Sequence, residues 1–244
     1  MTGGTPVAAI GPALERVRED IARFAERHGR EAGSVRLLAV AKTRPATAIE
    51  AALAAGQRAF GENYVDEALG KIDALAGRDL EWHFIGSIQS RRCAAIAERF
   101  DWAHGVDREK VARRLSERRP EGAAPLNVCI QIDVDGEESK GGVAPADVEP
   151  LAELCASLPG LRLRGLMAIP APREDLDGQR RAFAAVRESF ESLRAGGHDA
   201  LDTLSMGMSG DLEAAIAEGA TLVRVGTAIF GERERRAASA ESSA

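Results

Sequence analysis

Lys42 closes the run "LLAVAKT", Leu37 to Thr43, and puts a primary amine at the end of an apolar, strand-like stretch. Of the 32 basic residues only Lys42, Lys71, Lys110 and Lys140 are lysines. A lysine in apolar surroundings can lose its proton and attack an aldehyde, which arginine cannot do. The position equally suits an ordinary lysine whose stem lies on apolar surface and whose amine reaches water. On its own the residue does not decide between the two.

Two further stretches carry groups suited to an anion. In "RVGTAIFG", Arg224 to Gly231, Gly226 and Thr227 offer backbone N–H groups at a strand end, where glycine admits a ligand oxygen close to the main chain. In "SMGMSGD", Ser205 and Ser209 add hydroxyl donors, and Ser209 also fits the cap of a helix beginning near Asp211. Arg224 lies two residues before Gly226, hence on the same strand face. A guanidinium there can donate to a heteroaromatic nitrogen and keep it unprotonated, or it can form a structural ion pair. Singly, these are turn, cap and ion-pair residues. A lysine amine, an anion cradle and an arginine for a ring nitrogen together describe pyridoxal 5'-phosphate (PLP) held as a lysine Schiff base.

The elements that must bring these residues together alternate along the chain. Apolar or β-branched runs at "VRLLAVAKT", "RAFGENY", "EWHFIGS", "DWAHGVD", "NVCIQIDV", "LRLRGLMAI", "TLSMGMS" and "LVRVGTAIF" make eight candidate strands. Ala-rich amphipathic stretches such as "ATAIEAALAAG" and "GDLEAAIAEG" separate them, several closing on glycine. Eight strand-then-helix units predict a single (β/α)8 barrel over residues 1–231 with an extra N-terminal helix from Pro6 to His28; a doubly wound open sheet is the alternative. The polar residues 232–244 are expected to form a flexible tail. Active sites of barrels lie at the C-terminal strand ends, a rim expected here to hold Lys42, Asn63, His83, Ser87, Asp107, Ser205 to Ser209, Gly226 and Thr227. His83 fits either a base near a bound ring or a packed core histidine.

Composition narrows the function classes. A formal net charge of -6 argues against a nucleic-acid surface, which needs clustered excess Lys and Arg. No segment approaches the roughly 20 apolar residues of a membrane helix, and the N-terminus lacks a basic start followed by an apolar core. A cytoplasmic location is expected. Cys93, Cys129 and Cys155 match neither a disulfide framework nor a metal pattern, and His28, His104 and His198 show no ligand spacing, so reduced thiols and no metal are expected.

The segments "AVAKTRP", "FGENYVDE", "WHFIG", "LRGLMAI", "SMGMSGDLEAAI" and "RVGTAIFG" resemble, in order, the signature segments of the pyridoxal phosphate homeostasis protein family, over about residues 35 to 231. The resemblance implies the barrel of the alanine racemase N-terminal domain, with Lys42 as the cofactor lysine and Arg224 facing the pyridine nitrogen. It further implies Ser205 or Ser209 with Gly226 and Thr227 around the phosphate, and Asn63 near the cofactor. Glu137, Lys140 and Gly142 fit a further family segment. The chain departs from the pattern at Ala41, Ser87, Arg91, Arg92 and Asp133, and Arg91 and Arg92 stand where the family carries Asn-Lys. The implied role is to buffer, carry or deliver PLP inside the cell without turnover, as a monomer in transient contact with PLP-dependent apo-enzymes. A PLP-dependent amino-acid racemase is the enzyme alternative; the chain ends after strand eight, and its single tyrosine, Tyr64, belongs to another motif. A phosphosugar enzyme on the same barrel would explain the anion cradle alone.

Overall fold

The eight apolar runs become eight short parallel strands closed into a barrel in sequence order: β1 (Arg36–Val40), β2 (Ala59–Glu62), β3 (Glu81–Phe84), β4 (Trp102–Val106), β5 (Leu126–Gln131), β6 (Leu161–Met167), β7 (Thr203–Ser205) and β8 (Leu222–Val225). Closure is made by β8 against β1, where Leu38 pairs with Arg224 and Ala39 with Val225. The computed structural model describes residues 5–136 and 141–232. Glu137, Lys140 and the expected tail beyond Glu232 lie outside the described residues.

Helices follow the strands as the alternation predicts: α2 (Ala46–Ala54), α3 (Val65–Ala74), α4 (Cys93–Arg99), α5 (Glu109–Glu117), α6 (Val148–Ser157), α7 (Leu176–Ala195), α8 (Leu212–Ala217) and α9 (Thr227–Phe230). The predicted N-terminal helix is α1 (Ile10–Arg27), entered through a short 3-10 turn at Val7–Ala9. Its stripe Ile10, Leu14, Val17 and Ile21 is buried, each such side chain contributing roughly 1.5–3 kcal/mol relative to exposure. Arg27 binds Glu213 at 2.8 Å and Arg30 binds the Ile216 carbonyl at 2.8 Å, so α1 is fastened to α8 beside the closing strands.

Alternation along each strand sorts the side chains into two layers. Outward residues such as Ala39, Phe60, Phe84, Ala103 and Ile130 join the helices in the main core. The barrel interior holds two small apolar clusters, Leu38, Ala59, Ile85 and Leu222 on one side and Trp102, Cys129 and Met167 on the other. Between them the interior is polar, with His83, His104, Ser205 and Arg224 all buried. This polar column reaches the rim where the candidate site lies.

Candidate functional site

The predicted residues converge on four adjacent strands, β7, β8, β1 and β2. β1 stops at Val40, so Lys42 stands two residues past the strand, half-buried in a turn. The next residue, Thr43, has φ 64°, a left-handed conformation rare for a β-branched residue and therefore held by its surroundings. The hold comes from α3. Thr43 N–H donates to Glu67 Oε1 at 2.5 Å, and Lys71 Nζ donates to the Ala41 carbonyl at 2.8 Å. Lys71 also binds Glu62 at 2.7 Å and Glu67 at 2.5 Å.

That cluster is largely out of water. Glu62 is fully buried, and burial pushes its carboxyl up to about 7, against the lowering pull of Lys71 and of Lys42. Its Oε2 has no hydrogen-bond partner among the described residues, nor does the buried Oδ1 of Asn63, which directly follows β2. Gly86, from "FIG", lets the next loop approach here: a Cβ on it would stand 2.4 Å from the Asn63 carbonyl oxygen.

On the other side, Arg224 is buried and its guanidinium is aimed by the barrel. Nη1 donates to the Ser205 carbonyl at 2.5 Å and to Ser205 Oγ at 2.9 Å, while Nη2 donates to the Ala168 carbonyl at 2.9 Å. These bonds engage three of the five guanidinium N–H groups; among the described residues, Nε–H and one Nη2–H remain for a ligand. Burial lowers the Arg224 pKa to about 10, which still leaves it charged at neutral pH.

Ser205 and Ser209 separate. Ser205 is fully buried, its hydroxyl lying between Arg224 and His104 Nδ1, 2.9 Å from each, so it supports Arg224 from below instead of facing the rim. Ser209 is exposed in the turn after β7 and does not cap α8. Asp211 occupies the cap position, and its Oδ1 accepts from Met208 N–H at 2.6 Å, bracing the turn that presents Ser209. Gly226 caps α9 and Thr227 begins it, so the first amides of that turn have no acceptor within the helix. A Cβ on Gly226 would stand 3.1 Å from the Val40 carbonyl oxygen, which ties the β8 exit against β1.

His83 is fully buried and stacks on Trp102 at 5.1 Å, packed inside the barrel and not exposed on the rim. Ser87 is exposed, and Asp107, partly buried, binds Arg108 at 2.5 Å. Arg92 grips Asp66 with both Nη atoms, at 2.7 and 2.5 Å, and Arg91 binds Gln89. The sequence reading missed the cluster of Glu62, Glu67 and Lys71 and the partnership of His104 with Ser205. The Glu67 and Lys71 spacing of four was the available signal for the first.

The alanine racemase N-terminal domain model matches residues 13–234. A pyridoxal phosphate homeostasis protein of Pseudomonas aeruginosa is 55% identical over 228 residues, covering 93% of this chain and 97% of its own length. The chain belongs to the pyridoxal phosphate homeostasis protein family. The homeostasis protein of Escherichia coli K12 is 50% identical over 228 residues, covering 92% of this chain and 97% of its own length. Among solved structures, PipY of Synechococcus elongatus with PLP bound superposes with a TM-score of 0.77 at 38% identity, over 86% of this chain and all of PipY. An alanine racemase of Corynebacterium glutamicum shares the fold at a TM-score of 0.70 and 20% identity, over 96% of this chain and 64% of its own.

The residues gathered at this rim have the chemistry that PLP needs. A half-buried lysine, an arginine with donors to spare, a buried amide oxygen at Asn63 without a partner among the described residues and a glycine-capped turn lie on neighbouring strands or just past their ends.

Proposed function

We propose that this protein binds PLP through Lys42 and serves intracellular PLP homeostasis, buffering, carrying or delivering the cofactor in the cytoplasm without turnover. When bound, PLP supplies an aldehyde that a lysine can capture reversibly and a ring that withdraws electrons. The observation that carries the reading is the pairing of β8 with β1, which sets Arg224 beside the strand whose exit turn carries Lys42. Lys42 makes the covalent link, Arg224 faces the ring nitrogen, and Asn63 borders the ring. Ser209 with the Gly226 and Thr227 amides receives the phosphate. Ser205 is not carried forward as a phosphate donor, because its hydroxyl lies beneath Arg224.

The absence of turnover follows from the same groups. An arginine that keeps its proton donates to the ring nitrogen and leaves it unprotonated, which weakens the ring as a sink for a carbanion. Racemisation also needs acid–base groups on both faces of the substrate. Tyr64, the single tyrosine, is exposed at the start of α3, and His83 and His104 are enclosed in the barrel. Likeness to racemases is a matter of fold alone at 20% identity.

The test is solvent-deuterium exchange at the α-carbon of each common amino acid, with Lys42→Ala as control. Exchange at the background rate of the control is expected. Lys42-dependent exchange at about 1 per second, the low end of enzyme turnover, would convert the assignment to an enzyme.

A further inference from the structure

A line of polar side chains, joined by hydrogen bonds from Arg224 to His83 and by a charge contact from His83 to Glu81, crosses the barrel interior from one mouth to the other. At the N-terminal mouth Arg36 Nη2 binds Glu81 Oε2 at 2.7 Å, and Glu81 Oε1 lies 3.1 Å from His83 Nε2, near in charge but outside hydrogen-bond geometry, so that Nε2 has no hydrogen-bond partner among the described residues. His83 Nδ1 is 2.9 Å from His104 Nε2, and His104 Nδ1 is 2.9 Å from Ser205 Oγ. Ser205 Oγ in turn accepts from Arg224 at 2.9 Å. Because β4 and β7 are not neighbours, the contact of His104 with Ser205 spans the interior instead of following the sheet.

The two ends dictate the direction of every proton between them. Arg224 has no acceptor atoms, so it donates to Ser205. Burial raises the Glu81 carboxyl, but His83 and Arg36 outweigh it and hold the group at about 2, so Glu81 is ionised and accepts. Burial lowers the pKa of His83 against the raising pull of Glu81, and it lowers that of His104 well below the usual imidazole range, where the charges of Arg224 and Arg36 act in the same sense, so both rings are neutral. A neutral imidazole donates from one nitrogen and accepts on the other. The Glu81 carboxylate 3.1 Å away repels a lone pair on Nε2, so His83 carries its proton there and accepts on Nδ1. His104 donates from Nε2 to His83 and accepts on Nδ1 from the Ser205 hydroxyl. Each bond runs from Arg224 toward His83, whose own proton points to the Glu81 side.

We propose that His104 and His83 are positioning residues, which with Glu81 form a one-directional relay that fixes Ser205 as an acceptor and thereby sets the orientation of Arg224 toward the cofactor ring. The proposal rests on the reading of Arg224 as the ring partner. Reversal needs a proton on Glu81, some distance from the rim, so the ring partner is locked by a carboxylate at the opposite mouth. Plain filling of space does not account for the arrangement. The same interior takes Leu38, Met167 and Leu222 elsewhere, and apolar residues would avoid desolvating two imidazoles.

Two measurements test it. In the apo-protein with 15N-labelled histidine, both buried rings should show the neutral Nε2–H form at neutral pH; an Nδ1–H form or a charged ring in either would overturn the relay. In the holo-protein, Glu81→Gln allows the chain to reverse, and His104→Leu cuts it. Both should shift the absorbance of bound PLP and weaken binding by about threefold to tenfold, the equivalent of one net hydrogen bond, while PLP remains trapped on Lys42. His104→Gln, which can bridge Ser205 and His83, should restore part of the loss. If Arg224→Leu changes spectrum and affinity but Glu81→Gln and His104→Leu change neither, the relay is wrong and the ring partner stands. If Arg224→Leu changes nothing, the underlying reading of Arg224 has failed.

Discussion

Lys71 Nζ lies 2.8 Å from the carbonyl oxygen of Ala41, the residue before Lys42. On the other side of Lys42, Thr43 N–H is held by Glu67, itself a partner of Lys71. Both peptide groups that flank the proposed PLP lysine are therefore clamped by α3, and the turn is formed before any ligand arrives. One lysine is kept as a structural ion so that the other can be placed.

Replacing Lys71 by Met should destabilise the protein by about 3–5 kcal/mol, because it leaves the buried Glu62 carboxyl without its cation. Urea unfolding of the apo-protein measures this. A loss below about 1 kcal/mol, the range of exposed pairs, would show that the cluster is not a buried clamp.

Glu62 makes a prediction about pH. Its folded pKa of about 7 exceeds the unfolded value of 4.5, so between those limits the folded protein binds a proton that the unfolded chain has released. Stability therefore falls as pH rises through that window, by on the order of 3 kcal/mol. Glu81, held at about 2, acts in the opposite sense and only below 4.5, so the two windows do not overlap. Glu62→Gln should gain on the wild type between pH 5 and 8 in urea midpoints. A constant difference across that range would mean that Glu62 does not titrate there.

The barrel was legible because each strand is an apolar run bounded by turn residues, and each helix repeats Ala or Leu at helical spacing. Lys42, Arg224 and Gly226 were legible as chemistry because their residue types are unusual in such runs. Strand ends were less so: the apolar run continues to Ala41, yet β1 ends at Val40 because the chain turns left-handed at Thr43. Glu67 and Lys71 look like a solvated helix pair, and only the packing of α3 on the β1 turn buries Lys71 and half-covers Glu67. His83 and His104 lie 21 residues apart, and their contact exists because both face inward on neighbouring strands. Ser205 and Ser209 are equivalent as hydroxyls in a string; the end of β7 puts one inside the barrel and the other outside.

The phosphate is expected to supply much of the affinity, through Ser209 and the Gly226 and Thr227 amides. Ser209→Ala should weaken PLP binding by about tenfold, the scale of one charge-assisted hydrogen bond, with no change in unfolding midpoint, since the side chain is exposed. Pyridoxal without its phosphate should bind far more weakly. Equal affinities for the two would remove the anion site.

All three cysteines should resist a thiol reagent in the native state. Burial raises Cys93 and pushes Cys129 and Cys155 up to about 12, which removes the reactive thiolate. Fast labelling of any of them without denaturant would contradict the packed interior described here.

The central claim is that Lys42 is the residue that holds PLP, and borohydride reduction of the PLP-loaded protein followed by peptide mapping tests it most directly. The label should sit on Lys42, and Lys42→Arg, which keeps the charge but cannot make the link, should carry none while unfolding at an unchanged midpoint. Label found chiefly on Lys71, Lys110 or Lys140 in the wild-type protein would contradict the assignment.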